Sequence, residues 1–218
     1  MPKRLPVPDP RPVLWPLKPV ESAHATHERL PDGRLRLAIK HDLVRGCTPA
    51  MLAWFFAHIQ GSMEYAGATY RRHLVWHPLD HIRWDLVRPS PNGDAGVGAR
   101  LRIVEIFAKN PDHYVDAVTT VTKLDETGTV DETRFAGIMV MRLEHTWRPE
   151  GDGSRFESEM IVGAAGLVGK LVINPWIRSR VFREEMGPTW LRHSIEEIGY
   201  LEHFVPGLYR ERSAAAST

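Results

Sequence analysis

The distribution of hydrophobic and polar positions divides the chain into strand-like and helix-like segments. Alternation with a period of two, typical of half-buried strands, occurs at residues 33–43, 69–77, 99–108, 113–125, 134–148 and 154–163. These segments follow one another along the chain and are joined by turn-rich links. Such an order predicts an antiparallel sheet rather than a series of parallel βαβ units.

A helix is predicted before the main run of strands, and a longer helix after it. In the first, residues 47–59, Thr48 takes the N-cap position and Pro49 the first helical position, a combination that favours a helix start. The second helix is predicted from about 188 to 204, and Pro206 should stop it. This order predicts an α+β domain in which a curved sheet wraps the last helix and leaves a ligand-sized cavity between them.

Proline content separates an N-terminal arm from the rest of the chain. Residues 1–25 have six prolines in the first sixteen positions, which favours an extended segment. Residues 26–210 are predicted to form a single domain, and residues 211–218 a flexible tail.

The composition is that of an ordinary globular protein, with 43% hydrophobic and 25% charged residues. Because the formal net charge is only +1, we expect neither a nucleic acid nor a membrane as partner. The sequence has no apolar run long enough for a transmembrane helix and no apolar segment of a signal peptide behind its basic start. The single cysteine, Cys47, excludes an intrachain disulfide and is compatible with a cytoplasmic location. Its place just before a helix favours a turn position over a nucleophile.

Two chemically active side chains are predicted to point inward from strands. Glu105 shares its face with Leu101, Ile103 and Phe107. A carboxylate among apolar neighbours is costly unless it is paired or bound to a metal. Glu105 is therefore a buried ion-pair partner, an outward residue at a bulge, or a ligand. His145 lies on an apolar strand face and is either a core histidine bonded to backbone or a catalytic group.

Further candidates lie in a turn and on the last helix. The sequence VWHPLDHIRW contains His77, Asp80 and His81 around a proline, and by itself it is also compatible with a polar loop. His193 and Glu197 are four residues apart and share one helix face, as a solvated pair or as one wall of a site. Two imidazoles and two carboxylates, brought together from the turn, a strand and the last helix, would suit Zn²⁺ or another divalent ion.

A family resemblance rests on the stretches HDLVRGCTPAMLAWFF, YRRHLVWHPLDHI and RHSIEEIGYLEHFVPGLY. Together they resemble the family of 2,4-diacetylphloroglucinol hydrolase and phloretin hydrolase over roughly residues 39–210. The resemblance implies a Bet v 1-like helix-grip fold. It also implies zinc-dependent hydrolysis of the carbon–carbon bond between a phenolic ring and an acyl group.

The same resemblance assigns the metal ligands. The helix motif of the family falls on His193 and Glu197, and its strand glutamate falls on Glu105. Its first histidine falls on His77, with His81 as the alternative.

Catalytic roles follow in the same way. Asp80 matches a polar residue that contacts the substrate, and His145 matches an inward histidine beside the ring. Tyr70, just upstream of His77, is a further candidate, as a hydrogen-bond donor to the hydroxyl oxygens of the substrate ring. The second active-site tyrosine of the family has no equivalent near residues 158–163, where the chain has EMIVGA at 159–164. We therefore expect a C-acylated phenol or related β-diketone as substrate, with a relaxed demand for ring hydroxyls.

Other functions remain compatible with the sequence. A helix-grip protein that binds a hydrophobic ligand without catalysis is one, and a metal enzyme of another class acting on an aromatic polyketide is another. The apolar arc of the last helix and the proline-rich arm are compatible with a homodimer.

Overall fold

A computed structural model describes the backbone of residues 4–215 and the side chains of residues 4–212. The strands are β1 His24–Arg29, β2 Leu35–Lys40, β3 Val44–Arg45, β4 Ser62–Tyr65, β5 Ala68–Arg71, β6 His81–Arg88, β7 Arg100–Ile106, β8 Tyr114–Asp125, β9 Gly128–Phe135, β10 Ile138–Glu150 and β11 Gly153–Val162. All but β4 and β5 belong to one antiparallel sheet in the order β1-β2-β11-β10-β9-β8-β7-β6, with β3 paired to β11. Strands β4 and β5 form a separate hairpin.

Two of the α-helices lie between β3 and β6 along the chain, and the others follow β11. The helices are α1 Pro49–Ala57, α2 Arg72–Trp76, α3 Gly166–Val168, α4 Asn174–Arg180, α5 Met186–Tyr200 and α6 Val205–Ala215, and a π-helical segment, Gly169–Ile173, joins α3 to α4. Trp190, Leu191 and Ile195 of α5 pack into one core with Leu35 and Leu37 of β2. The sheet thus wraps the long C-terminal helix in an α+β helix-grip arrangement, as predicted. None of the described helices is long and apolar enough to cross a membrane.

Several local predictions are confirmed. The alternation in residues 33–43 buries Leu35, Leu37 and Ile39 on one face of β2. The side chain of Thr48 caps α1, since its hydroxyl oxygen accepts a hydrogen bond from the Met51 N–H at 3.3 Å. Both features depend only on neighbours in the chain.

Two predicted strands are wrong in their extent. Residues 69–77 do not form one strand, because β5 ends at Arg71 and α2 follows it. Residues 134–148 span a hairpin turn, in which Ala136 and Gly137 have φ angles of 48° and 83°. This turn separates β9 from β10, and the sequence interpretation missed β9 as an element of its own.

Part of the N-terminal arm, from Arg11 onward, packs on the body of the protein. Trp15 lies against the rings of Tyr65 and Tyr200, with centroid distances of 5.6 and 5.3 Å. The guanidinium of the buried Arg11 donates to the backbone carbonyl of His81 at 2.5 Å. In addition, β1 begins at His24, inside the predicted arm. The boundary predicted at residue 25 therefore does not separate two structural units.

The C-terminal predictions also need correction. Pro206 does not end the helical region, because it lies in the first turn of α6, where proline is tolerated. Helix α6 reaches Ala215, and residues 216–218 of the predicted tail lie outside the described part of the chain. The apolar arc of α5 is buried within the same chain, so this arc no longer supports a homodimer.

Candidate functional site

Adjacent strands bring the first two groups of the site together. Pro78 follows His77 and disfavours helical backbone at that residue, so α2 ends and the chain turns into β6. His81 is the first residue of β6 and lies opposite Glu105 of β7 in the register. Glu105 faces the interior, as predicted, together with Leu101.

Helix α5 supplies the other two groups. His193 and Glu197 are one helical turn apart, and both are almost fully buried, at 2% and 6% exposure. They are therefore not a solvated surface pair. We call His81, Glu105, His193 and Glu197 the His₂Glu₂ cluster.

The cluster is compact. The His81 Nε2 atom lies 3.3 Å from Glu105 Oε1 and 3.5 Å from Glu197 Oε2. The His193 Nε2 atom lies 3.8 Å from Glu105 Oε2 and 3.6 Å from Glu197 Oε2. Two imidazole nitrogens thus face two carboxylates across a gap of a few ångströms.

Hydrogen bonds on the far side of each imidazole assign the tautomers. The Nδ1 atom of His81 lies 2.5 Å from the backbone oxygen of His73, which can only accept, so Nδ1 carries the proton. In the same way, Nδ1 of His193 donates to the Asp80 carboxylate at 3.1 Å. Both Nε2 atoms therefore direct lone pairs at carboxylate oxygens.

This arrangement is unfavourable without a positive charge between the groups. The Nε2 atom of His81 is buried and has no hydrogen-bond partner among the described residues. Burial raises the pKa of Glu105 to about 7 and that of Glu197 well above its usual value. Burial also lowers the pKa of both cluster histidines. Neutral imidazoles and clustered carboxylates form a donor set that suits a borderline divalent cation.

His77 does not occupy the position expected of the first ligand. Its Nδ1 atom accepts a hydrogen bond from the Asp80 N–H at 3.1 Å, and its Nε2 atom donates to the Glu196 carboxylate at 3.1 Å. Both ring nitrogens are therefore engaged. His77, Asp80 and His193 also bring three ligand-type atoms together, but these hydrogen bonds account for them. The geometry favours the alternative, His81.

Asp80 has a different position from the one expected. Its carboxylate accepts hydrogen bonds from His193 Nδ1 and, at 3.2 Å, from the Ala108 N–H. The residue is buried and is not among those that line the cavity described below. It orients an imidazole of the cluster, as carboxylates beside metal-binding histidines do.

A large cavity opens beside the cluster. It has a volume of about 680 Å³, and Glu105, His193 and Glu197 form part of its wall. Most of the remaining wall is apolar and includes Phe56, Trp76, Trp84, Leu101, Ile103, Phe107, Val121, Leu143, Met160, Val162, Trp176 and Trp190. A cavity of this kind suits a mainly hydrophobic small molecule.

His145 lines the same cavity, whereas Tyr70 does not. The Nδ1 atom of His145 lies 2.8 Å from the hydroxyl oxygen of Ser158, so its partner is a side chain rather than backbone. Burial lowers the pKa of His145 to about 3, which keeps the imidazole neutral. Tyr70 lies in β5, edge-on to Tyr65 at a centroid distance of 6.0 Å.

The sequence interpretation missed one inward carboxylate, Asp131 of β9, which also lines the cavity. Its signal was the alternation of Thr129, Asp131 and Thr133, which was hidden once the strand was not recognised. Cys47 is fully buried, and burial raises the pKa of its thiol to about 12. This environment agrees with a structural position and not with a nucleophile.

Comparison with known proteins finds similarity only at the level of solved structures. No family model matches the chain, and no curated protein matches its sequence. Protein Ms6760 from Mycobacterium smegmatis has 12% identity and a TM-score of 0.49, over 88% of this chain and 99% of its own. A START superfamily protein from the same organism has 9% identity and a TM-score of 0.47, over 80% and 95%. The di-domain ARO/CYC protein BexL of the BE-7585A biosynthetic pathway has 11% identity and a TM-score of 0.45, over 84% and 50%.

Proposed function

We propose that the protein is a metal-dependent hydrolase that cleaves the carbon–carbon bond between an acyl group and a phenolic ring or related β-diketone. The observation that carries the proposal is the His₂Glu₂ cluster in the wall of an apolar cavity, with imidazole lone pairs aimed at carboxylates. A binding pocket for hydrophobic molecules has no need of buried carboxylates that lack a cation.

His81, Glu105, His193 and Glu197 would hold one divalent ion, with Zn²⁺ as the best match to two nitrogen and two oxygen ligands. When bound, such an ion would supply Lewis acidity, which polarises a carbonyl oxygen or lowers the pKa of a water molecule. Asp80 would keep His193 in the tautomer that presents Nε2 to the ion.

The overall reaction adds water across the aryl–acyl bond. The hydroxyl group goes to the acyl carbon, and the ring carbon takes up a proton as the carbon–carbon bond breaks. The products are a carboxylic acid and the deacylated ring. The ring carbon can leave because a hydroxylated ring tautomerises to a β-diketone.

His145 is our candidate for handling a proton and for holding a ring hydroxyl. Its Nδ1 atom is fixed by Ser158, which leaves Nε2 for a ligand in the cavity. Because burial keeps the ring neutral, His145 can give or accept one hydrogen bond at this atom without carrying a charge in the resting state.

The Asp80 carboxylate gives a test of the metal site that leaves every ligand in place. We expect Asp80→Asn to weaken zinc binding by roughly 10–100-fold, because the neutral amide no longer stabilises the His193 tautomer as well. Competition with a chromophoric chelator measures the affinity. Asp116→Asn is the matched control, since the carboxylate of Asp116 pairs with Arg102 at 2.7 Å rather than with a histidine of the cluster. Equal zinc affinity in wild type and Asp80→Asn would contradict the positioning role.

The proposed reaction is tested by its products. Zinc-reconstituted protein should release a carboxylic acid from acylphenols with one, two or three ring hydroxyls, since Met160 and Val162 make the wall near residues 158–163 apolar. Reaction of the trihydroxylated compounds alone would contradict the relaxed specificity. Release of acid without oxygen separates hydrolysis from oxygenase chemistry.

Non-catalytic binding of a hydrophobic ligand is the second candidate, and the mainly apolar wall of the cavity favours it. The two functions differ in their dependence on Glu105. In a hydrolase, Glu105→Gln should remove both zinc and turnover while ligand binding in the cavity persists. If zinc binds stoichiometrically and no acylphenol reacts, the hydrolase proposal fails. If zinc does not bind, the non-catalytic function is preferred.

A further inference from the structure

A second polar group lies in the cavity wall, on strands that do not contribute to the His₂Glu₂ cluster. Thr119 of β8 and Asp131 and Thr133 of β9 all line the cavity. We call them the β8–β9 triad. Thr120 is paired with Glu132 and Val121 with Asp131, and the next step of this register sets Thr119 opposite Thr133.

The triad has unused hydrogen-bonding capacity. The hydroxyl oxygens of Thr119 and Thr133 and the Oδ1 atom of Asp131 are buried and have no hydrogen-bond partner among the described residues. Thr119 is only 2% exposed. Buried polar atoms are nearly always paired in folded proteins, so three unpaired oxygens in one wall indicate that an absent partner completes them.

The protein itself offers Asp131 no compensating charge. Its cross-strand neighbours are Val121 and Leu143, both apolar. The nearby Arg134 directs its guanidinium to Glu132 and to the carbonyl of Gly137. Burial alone raises the pKa of Asp131 to about 7. The carboxylate therefore destabilises the fold as it stands, which is typical of a residue kept for a ligand.

The distance between the triad and the His₂Glu₂ cluster sets a minimum length for a ligand that contacts both. Glu105 is paired with Val115 of β8. Thr119 lies further along the same strand, at about 13 Å for a rise of roughly 3.3 Å per residue. The cavity of about 680 Å³ is continuous between them, because both Glu105 and Thr119 line it. A single acylated ring is too short to contact the cluster and the triad together.

We propose that Thr119, Asp131 and Thr133 form an anchor for a hydroxyl group on a second, distal ring of an extended aromatic ligand. A neutral hydroxyl donates to the carboxylate and accepts from a threonine. It also enters an apolar cavity at a lower desolvation cost than an ammonium group. This inference rests on the proposed function only in placing the acyl end of the ligand at the His₂Glu₂ cluster.

Binding of two matched probes tests the anchor. The probes are acetylbiphenyl and its analogue with a para hydroxyl on the distal ring, titrated calorimetrically into the full chain. The wild type should bind the hydroxylated probe more tightly by roughly 10–100-fold, the range for a hydrogen bond to a charged group. Acetophenone and its para-hydroxy analogue should show no such difference, because their hydroxyl lies too close to the acyl group.

The variants separate the anchor from general effects on the cavity. Asp131→Leu should abolish the preference for the hydroxylated probe, and Thr119→Val should reduce it. Thr129→Val is the matched control, since Thr129 lines the cavity but its hydroxyl already donates to the carbonyl of Lys123 at 3.0 Å. This control should keep the full preference.

Thermal unfolding shows whether the Asp131 carboxylate instead has a purely structural role. Asp131→Leu should raise the melting temperature, because it removes an unpaired buried carboxylate. A lower melting temperature, an unchanged probe preference in this variant, or no preference in the wild type would overturn the proposal. If a probe with a distal aminomethyl group binds more tightly than the hydroxylated probe, the triad binds a cation and the proposal of a hydroxyl group is wrong.

The same titrations distinguish this inference from the hydrolase proposal. They are run with zinc and with a chelator, and they need no turnover. A probe preference that depends on Asp131 while no acylphenol is hydrolysed supports the anchor and counts only against the hydrolase. Hydrolysis of an acylphenol without any probe preference supports the hydrolase and counts only against the anchor.

Discussion

Replacement of His81 by Asn should abolish stoichiometric zinc binding, from about one ion per chain to a small fraction of that value. The reason is geometric. His81 Nε2 is the only ring nitrogen of this residue without a hydrogen bond in the described structure, and it faces Glu105 and Glu197 at 3.3 and 3.5 Å. Metal analysis of the purified, zinc-reconstituted variant measures the loss, and turnover should disappear with the metal.

His77→Asn is the matched control for this experiment. His77 is equally buried and adjacent to the cluster, but its nitrogens already bond to the Asp80 N–H and to Glu196. The variant should retain zinc, with any loss of stability visible in its melting temperature. If His77→Asn empties the site and His81→Asn does not, the first ligand is His77 and the side chains rearrange when metal binds.

His145→Ala should lower turnover by roughly 10²–10⁴-fold, the usual contribution of a general acid–base group, and should leave zinc content unchanged. His145 lines the cavity but is not part of the His₂Glu₂ cluster. Removal of the His145 imidazole therefore affects substrate binding and proton transfer rather than metal binding. Single-turnover assays together with metal analysis separate these effects.

His41→Ala provides a control from the same hydrogen-bond network. The Nε2 atom of His41 lies 2.8 Å from the Ser158 hydroxyl, the partner of His145, but His41 is not among the residues that line the cavity. Its loss should reduce turnover far less than the loss of His145. Equal turnover in His145→Ala and wild type would return His145 to the role of a core histidine.

Much of the fold could be predicted because it depends on neighbours in the chain. The two-residue period of β2 and the Thr48 cap of α1 are local features, and the structure has both. The failures lie where local signals conflict. A two-residue turn at Ala136 interrupted an apolar run that read as one strand.

The sequence by itself determined which groups are available at the site. The side-chain period of a strand turned Glu105 inward, and helical spacing set His193 and Glu197 on one face. Which histidine joins them was decided only by tertiary structure. Strand register sets His81 opposite Glu105, and the carboxylate of Glu196 engages the Nε2 atom of His77. These contacts join residues far apart in the chain, and the distances between such elements are set by packing and register, which no local pattern encodes.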